Sequence, residues 1–420
     1  MKAKSLEAWL AELEQRHPTA IDLGLDRCGE VASRLHLLAP TATTITVAGT
    51  NGKGSTVAMM EALLCEQGVS CGAFTSPHLT RYNERIRVSG LEVDDSLIVK
   101  AFEAIEAARG EISLTYFEFG TLAALWVFDT LGVEYQLLEV GLGGRLDAVN
   151  IIDADACVIT AIGLDHQEWL GHDVDTIAIE KCGIARAGKP CVVADHAAPK
   201  TVSESLQRIG AKAIRAGEAY HFTQELFLGF EDQTFAWEIP DGVIPLNAGA
   251  AVAALLAVGA RVDGKLFEAA SKRLRLRGRR EQISFAGLSV VIDVAHNPDA
   301  CHQLRHFLQR LPKVYNTVAV FAVMSDKDSR DMIAPLEGDI DFWCLPRGVG
   351  GERGQSPDEL VGYVRGNAQV FETFNESLEF ALGRLAGRGR LLIFGSFFTV
   401  AAGIAGMREL TAIEVGTVDG

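Results

Sequence analysis

The stretch that most restricts the fold is Thr46-Val-Ala-Gly-Thr-Asn-Gly-Lys-Gly-Ser-Thr56, which follows the β-rich run Thr44 to Val47 and opens the helix-like run Val57 to Gln67. Glycines at 49, 52 and 54 let successive backbone N–H groups turn toward one anion, and the positive end of the following helix adds to their pull. Lys53 then meets the outer phosphates, and Ser55 or Thr56 offers a hydroxyl to Mg²⁺. The generic phosphate-loop pattern is broken twice: Val47 replaces its first glycine, and Gly54 replaces the hydroxylated residue after the lysine. An isolated Asn-Gly is ordinarily a β-turn. A glycine loop with a lysine at its tip, set between a buried strand and a helix, points instead to nucleotide binding.

A chain of 420 residues is long for one core, so two domains are expected. No apolar run reaches the roughly 18 to 20 residues needed to cross a bilayer, and the N-terminus has neither a basic region nor an apolar core, so a cytoplasmic protein without membrane attachment is predicted. Eight cysteines stand singly at 28, 65, 71, 157, 182, 191, 301 and 344, as reduced thiols would. The net charge of −16 argues against nucleic acid as a partner and obliges any anionic ligand to use a local cationic pocket. The one dense basic run, Lys272 to Arg280, reads as a solvated helix end.

Several polar residues fall where predicted strands end, which is where open α/β sheets bind ligands. Val133 to Gly144 reads as a buried parallel strand ending in glycines, and Glu139 inside it needs a cation, either Mg²⁺ or an arginine. Ala156 to Ile162 runs into Gly163-Leu-Asp-His166, where His166 is either a metal ligand or an ordinary hydrogen-bonded histidine. Gly72 to Ile86 is a short strand that breaks at Pro77 into a polar, aromatic loop, in which Ser76 by itself is a turn residue. Asp94 to Arg109, Phe117 to Leu131 and Asp175 to Ala185 have helical periodicity, the last carrying Lys181. Residues 189 to 245 supply a strand-helix-strand set and a β-rich stretch, and Asn247 opens an Ala-rich helix as a possible N-cap. Near Arg277-Gly-Arg-Arg-Glu281 helix gives way to the strand-like run Leu288 to Val294. Beyond it, strands at Ser289 to Val294, Thr317 to Val323, Asp341 to Leu345 and Arg390 to Phe394 alternate with helices in a Rossmann-like pattern.

The phosphate loop, Thr75-Ser-Pro-His78 with Asn83-Glu-Arg-Ile86, Gly143-Gly-Arg-Leu-Asp147, Leu164-Asp-His166, Glu180-Lys-Cys-Gly183 and Val291-Ile-Asp-Val-Ala-His-Asn-Pro298 together resemble the Mur ligase superfamily. The Gly after the lysine is similar to its folate branch, the dihydrofolate synthases and folylpolyglutamate synthases, and the resemblance covers nearly the whole chain. It implies an α/β fold: an N-terminal P-loop ATPase domain with a mostly parallel sheet and a pterin site over 1–276, and a smaller C-terminal Rossmann-like ligase domain over 277–420.

The resemblance also implies roles for residues. ATP would lie on Thr50, Asn51, Gly52, Lys53, Gly54 and Ser55, with Asn247 on its adenine side and Arg279 and Asp293 as further contacts. Two Mg²⁺ ions would be held by Ser76, Glu139, His166 and Lys181, the lysine having been carbamylated by CO₂. The pteroate moiety would lie against Thr115, Tyr116, Phe117 and Glu118, with Asp147 on the pterin ring. Lys53, Lys181 and His296 would serve catalysis, and Ser325-Asp-Lys-Asp328 and Phe394-Gly-Ser-Phe397 would line an inter-domain cleft that domain closure completes. Cys182 stands where alanine is usual in the family and Arg277 where proline is. The implied reaction is ATP-dependent ligation of L-glutamate to dihydropteroate and to reduced folates through an acyl phosphate, by a monomer acting on small molecules. Ile21 to Arg27 and Thr115 to Glu118 favour this bifunctional form over a monofunctional folylpolyglutamate synthase. A P-loop phosphotransferase would use the same loop without glutamate.

Overall fold

The phosphate loop leaves the centre of an eight-stranded sheet. A computed structural model describes residues 4–17, 21–223, 226–228, 234–237, 239–240 and 242–416. Pro18 to Ala20 and part of the β-rich stretch before residue 245 lie outside the described residues. The chain divides into two units, Met1–Arg275 and Leu276–Gly420.

In the first unit the strands are β1 (Thr43–Ala48), β2 (Cys71–Phe74), β3 (Ile86–Val88), β4 (Leu91–Glu92), β5 (Tyr135–Glu139), β6 (Ala156–Ile159), β7 (Pro190–Val193) and β8 (Lys212–Arg215). Their order is β4-β3-β2-β5-β1-β6-β7-β8, parallel from β2 to β8, with β3 and β4 antiparallel at the edge. Strand β1 is buried along nearly its whole length, so it reads as a near-continuous apolar and β-branched run, without alternation. In register Val47 pairs with Glu139 and Ala48 with Ile159, so the loops after β1, β5 and β6 emerge at one carboxyl edge.

The helix Lys53–Glu66 packs against the helices Pro245–Ala257 and Gly264–Arg273. Pro245–Ala257 is rich in alanine and buried all round, and small side chains there let the backbones approach closely. The helix Tyr116–Leu131 is also buried on nearly every side, and its Phe119 packs edge-on against Phe102 at 5.3 Å. A small antiparallel sheet is made by β9 (His221–Phe222), β10 (Leu226–Leu228) and β11 (Thr234–Ala236).

The second unit has β12 (Glu281–Phe285), β13 (Leu288–Asp293), β14 (Thr317–Phe321), β15 (Phe342–Pro346), β16 (Ala368–Phe371) and β17 (Arg390–Phe394), in the order β12-β13-β17-β14-β15-β16. All are parallel except β12, which forms a hairpin with β13. The four predicted strands are present; β12 and β16 were missed. The β12 hairpin turns at Ala286 and Gly287, both at positive φ, and alanine at the first of these gives none of the Asn-Gly or Asp-Gly signal that marks such turns.

The two large sheets are mostly parallel and covered by helices, the α/β class expected. All eight cysteines are free thiols. Among the described residues no helix is long and apolar enough to cross a membrane.

Candidate active site

Two glycines fix the path of the phosphate loop. At Gly49 a Cβ would overlap the Thr160 hydroxyl, and at Gly52, held at φ +93°, it would overlap the Asn247 side chain. Between them Thr50 is clamped to the segment after β6: its N–H donates to Ala161 O at 2.7 Å, and its hydroxyl bridges the carbonyl and N–H of Gly163, both at 3.0 Å. Thr160 Oγ1 donates to Asn51 O at 2.8 Å. Lys53 opens the helix and donates to the carbonyls of Gly49 (3.0 Å) and Thr50 (3.3 Å). Of the two hydroxyls that follow, Thr56 Oγ1 is buried and donates back to Gly52 O at 3.0 Å, so Ser55 is the one left facing the loop.

Asn247 is not an N-cap. The helix starts at Pro245 with Ile244 as its cap, because proline already satisfies the first helical position. Asn247 is 2% exposed, and among the described residues its Nδ2 has no hydrogen-bond partner. A buried amide without a partner costs about 1–3 kcal/mol, and this one lies against the loop glycine.

Glu139 ends β5 at 3% exposure and accepts the Ser76 N–H at 3.0 Å. Its carboxylate lies against the phosphate loop: a Cβ at Gly54 would stand 3.4 and 3.5 Å from the two Glu139 oxygens, in ordinary van der Waals contact. Arg87 gives its fork to Glu61 and lies within electrostatic reach of Glu139. His166 takes a left-handed backbone (φ 50°, ψ 41°), a strain of roughly 1–3 kcal/mol that tends to mark functional positions. Its N–H donates to Asp165 Oδ1 at 2.9 Å, and its Nε2 lies 3.9 Å from Oδ2.

Lys181 lies on the helix Val174–Cys182, 4% exposed. Gly144 makes this possible, since a Cβ there would be 2.7 Å from Glu180 O and 3.0 Å from Lys181 Cα. Burial, reinforced by the Lys53 charge and opposed by Asp165 and Asp147, brings the amine down from 10.5 to about 7. The unfolded chain holds that proton up to its ordinary value, so between about pH 7 and 10.5 unfolding takes up a proton and stability rises with pH. In CO₂-free buffer Lys181→Met is therefore expected to raise the unfolding free energy obtained from urea titration, by on the order of 5 kcal/mol at and below pH 7. The advantage should shrink as the pH climbs to about 10; a gain that does not change with pH would show that the amine is not buried uncharged.

At the start of the helix Tyr116–Leu131, Thr115 and Glu118 form a capping box: Glu118 Oε2 accepts the Thr115 N–H at 2.7 Å and Thr115 Oγ1 accepts the Glu118 N–H at 3.2 Å. Glu118 also pairs with Arg27 at 3.1 Å, and Arg27 pairs with Asp22 at 2.7 Å, which ties the N-terminal segment to this turn. The box presents Tyr116 and Phe117 half-buried, Phe117 against Phe74 (5.7 Å) and Tyr116 edge-on to Tyr82 (5.9 Å). Asp147 is 3% exposed, and the N–H groups of Leu142 (2.9 Å) and Val149 (3.0 Å) donate to it. Burial outweighs these donors and the Lys53 charge, and lifts its carboxyl from 3.8 to about 6. The Lys53 charge bears on both Asp147 and Lys181, lowering each.

The second unit has its own polar strand end. Asp293 accepts the N–H groups of Ala295 (2.7 Å) and Arg280 (2.9 Å), and burial raises its carboxyl despite the charges of Arg280 and Arg279. The Arg279 guanidinium lies over the Phe397 ring at 5.2 Å, with the His296 ring 6.2 Å from the same phenyl. His296 Nδ1 is 2.8 Å from Val294 O, which can only accept, so Nδ1 is the donor in that bond. Asn297 caps the helix Pro298–Arg310. Arg280, passed over in the sequence, is held at φ 49° beside Asp293.

Among the described residues no three His, Cys, Asp or Glu side chains converge on a metal-sized space. Mg²⁺ fits all the same, because it takes one or two carboxylates and completes its shell with hydroxyls, waters and substrate phosphates. Glu139, the Ser76 beside it and Ser55 at the loop supply such hard oxygen donors.

Comparison with known proteins follows this geometry. Residues 278–397 match the family described as Mur ligase, glutamate ligase domain. Dihydrofolate synthase/folylpolyglutamate synthase of Escherichia coli K12 is 41% identical over 403 residues, 95% of this chain and 94% of that one. The solved structure of E. coli FolC in complex with DHPP and ADP superposes with a TM-score of 0.92 at 40% identity, over 97% of this chain and 99% of that chain. A bifunctional folylpolyglutamate synthase/dihydrofolate synthase with Mn, AMPPNP and L-glutamate bound gives 0.89 at 37% identity, over 96% and 98%.

Proposed function

The chain belongs to the dihydrofolate synthase/folylpolyglutamate synthase family, and from that premise we infer that it is a bifunctional ATP-dependent ligase joining L-glutamate to dihydropteroate and to reduced folates. The observation that carries this reading is the meeting of Gly54, Ser76 and Glu139 at the end of β5, against the helix that Lys53 opens. Relatives with ADP, DHPP, AMPPNP, Mn and L-glutamate bound support it. It acts as a cytoplasmic monomer on small molecules.

A carboxylate of the pterin substrate attacks the γ-phosphorus of ATP, ADP leaves, and an acyl phosphate forms. The amine of L-glutamate attacks the acyl carbon, and the tetrahedral adduct expels phosphate. The loop N–H groups of Thr50 to Ser55 hold the phosphates and Lys53 neutralises the outer oxygens, while Asn247 orients the adenine side. Thr115 to Glu118 and Asp147 place the pteroate, the half-buried rings of Tyr116 and Phe117 giving it an apolar wall. Ser76 and Glu139 would hold one Mg²⁺, and His166 and a carbamylated Lys181 a second. When bound, Mg²⁺ supplies charge neutralisation at the phosphoryl oxygens. The lysine suits carbamylation because its buried amine is substantially uncharged near neutrality: nitrogen attacks CO₂, loses a proton, and becomes an anionic oxygen donor.

The test is phosphate release from MgATP with L-glutamate and either dihydropteroate, tetrahydrofolate or no pterin. Release with both pterins, each requiring glutamate, is expected. Release with tetrahydrofolate alone would leave a monofunctional synthase, and glutamate-independent release would remove the ligase reading.

A further inference from the structure

We propose that Arg87 is a positioning residue that locks the Ser76 loop to the phosphate-loop helix and thereby sets the divalent-cation affinity of the site. The proposal rests on the reading of Ser76 and Glu139 as cation ligands.

Arg87 on β3 holds three pieces of chain together. Its Nε and Nη2 fork grips Glu61 at 2.9 and 2.8 Å, a carboxylate 5% exposed on the helix that Lys53 opens. Its Nη1 donates to Thr75 Oγ1 at 3.0 Å and to Glu84 O at 2.7 Å. Thr75 enters the Ser76 loop and Glu84 leaves it, so one guanidinium nitrogen pins both ends. Burial works against the Arg87 charge, but Glu61, with Glu139 and Glu92 further off, outweighs it and keeps the guanidinium firmly protonated.

Within the loop the Glu84 carboxylate accepts the N–H groups of Leu79, Thr80 and Arg81, each at 2.9 Å, and the Thr80 hydroxyl at 2.6 Å. The loop is thus internally stiff, and what remains to be fixed is its placement. Ser76 N–H reaches Glu139 and Glu139 lies against Gly54, on the same helix as Glu61. The contacts therefore form a closed ring: helix, Glu61, Arg87, Thr75, Ser76, Glu139 and back to the helix. Opening the ring at Arg87 leaves Ser76 tethered to Glu139 by its backbone alone. Lysine cannot replace arginine here, because a point charge cannot serve Glu61, Thr75 and Glu84 together.

The test is Mn²⁺ titrated into the protein–ADP complex, followed by loss of the free-ion EPR signal, alongside the Mg²⁺ concentration giving half-maximal rate. Partners of this kind are worth about 10- to 100-fold in metal affinity. Arg87→Lys is expected to weaken Mn²⁺ binding and raise the Mg²⁺ requirement by about 10-fold, with the rate recovering at high Mg²⁺ and KM for L-glutamate unchanged. Glu61→Gln, which opens the ring from the helix side, should behave alike and stands in if the arginine variant does not fold. A lower melting temperature with unchanged Mn²⁺ affinity in both variants would overturn the proposal. Ser76→Ala separates the two layers. Weaker binding there with unchanged binding in the other two defeats the lock alone, whereas unchanged binding in Ser76→Ala removes the ligand reading and the proposal with it.

Discussion

Lys181→Ala is expected to lower kcat by roughly 10²- to 10³-fold, the scale set by removing one preorganised electrostatic group from a site where phosphoryl charge develops. Acetate or formate should restore part of the loss, because a small carboxylate can occupy the space vacated by a carbamate and supply the same anionic oxygen. The structural reason is the burial of the amine. At 4% exposure, and with Lys53 adding a second positive charge to its surroundings, this lysine is brought to about 7, so that near neutrality a large fraction is a free nucleophile. A surface lysine at its ordinary value would offer a fraction smaller by roughly three powers of ten. Cys182, where alanine is usual in the family, is buried among the core residues. The direction of the pH effect follows. Below about 7 the amine holds its proton and cannot take up CO₂, so activity should fall with acidification, and fall further in CO₂-depleted buffer. Protein equilibrated with ¹³C-bicarbonate should show a carbamate resonance that Lys181→Ala lacks. No resonance and no rescue together would sink the role assigned to Lys181.

How much of this site can be read from the chain depends on whether the deciding partner is near in sequence. The phosphate loop is legible because strand, glycines, lysine and helix are contiguous, and Glu139 is legible because a carboxylate in an apolar run has few alternatives. Gly54 is different. That it lies against the Glu139 carboxylate becomes visible only once β5 stands beside β1. Thr115-x-x-Glu118 carries a local signal that was available, the capping-box pattern ahead of an apolar helix, and it explains both side chains before any substrate is considered. Asn247 could have been refused as an N-cap on the strength of Pro245 two residues earlier. Arg87 and Glu61 had no such signal. They are 26 positions apart on different elements, and nothing in either neighbourhood says that they will meet. The hairpin strand β12 was hidden for a related reason, an alanine standing where the turn usually advertises itself with asparagine or aspartate.

Lys53→Met should lower kcat/KM for ATP on the order of 10³-fold, since it removes the one cation at the tip of the phosphate loop, where the transferred group gathers charge. Methionine keeps the length and apolar stem, so the loop fold, held by Thr50, Thr160 and Gly163 through contacts that do not involve this side chain, should survive. The same substitution tests whether Lys53 and Lys181 belong to one site. Lys53 is the second cause, after burial, of the low value at Lys181. Without its charge the Lys181 amine binds its proton more tightly, and the pH midpoint for carbamate formation should move upward. A lost nucleotide contact by itself would leave that midpoint where it was. Following the ¹³C-carbamate signal across pH in the variant therefore separates two functions of one lysine: kcat/KM reports its contact with phosphate, and the midpoint reports its hold on the charge state of a residue more than a hundred positions away in sequence. An unchanged midpoint would mean that Lys53 does not act on the charge state of Lys181, and the electrostatic unity of the site would then have to be given up.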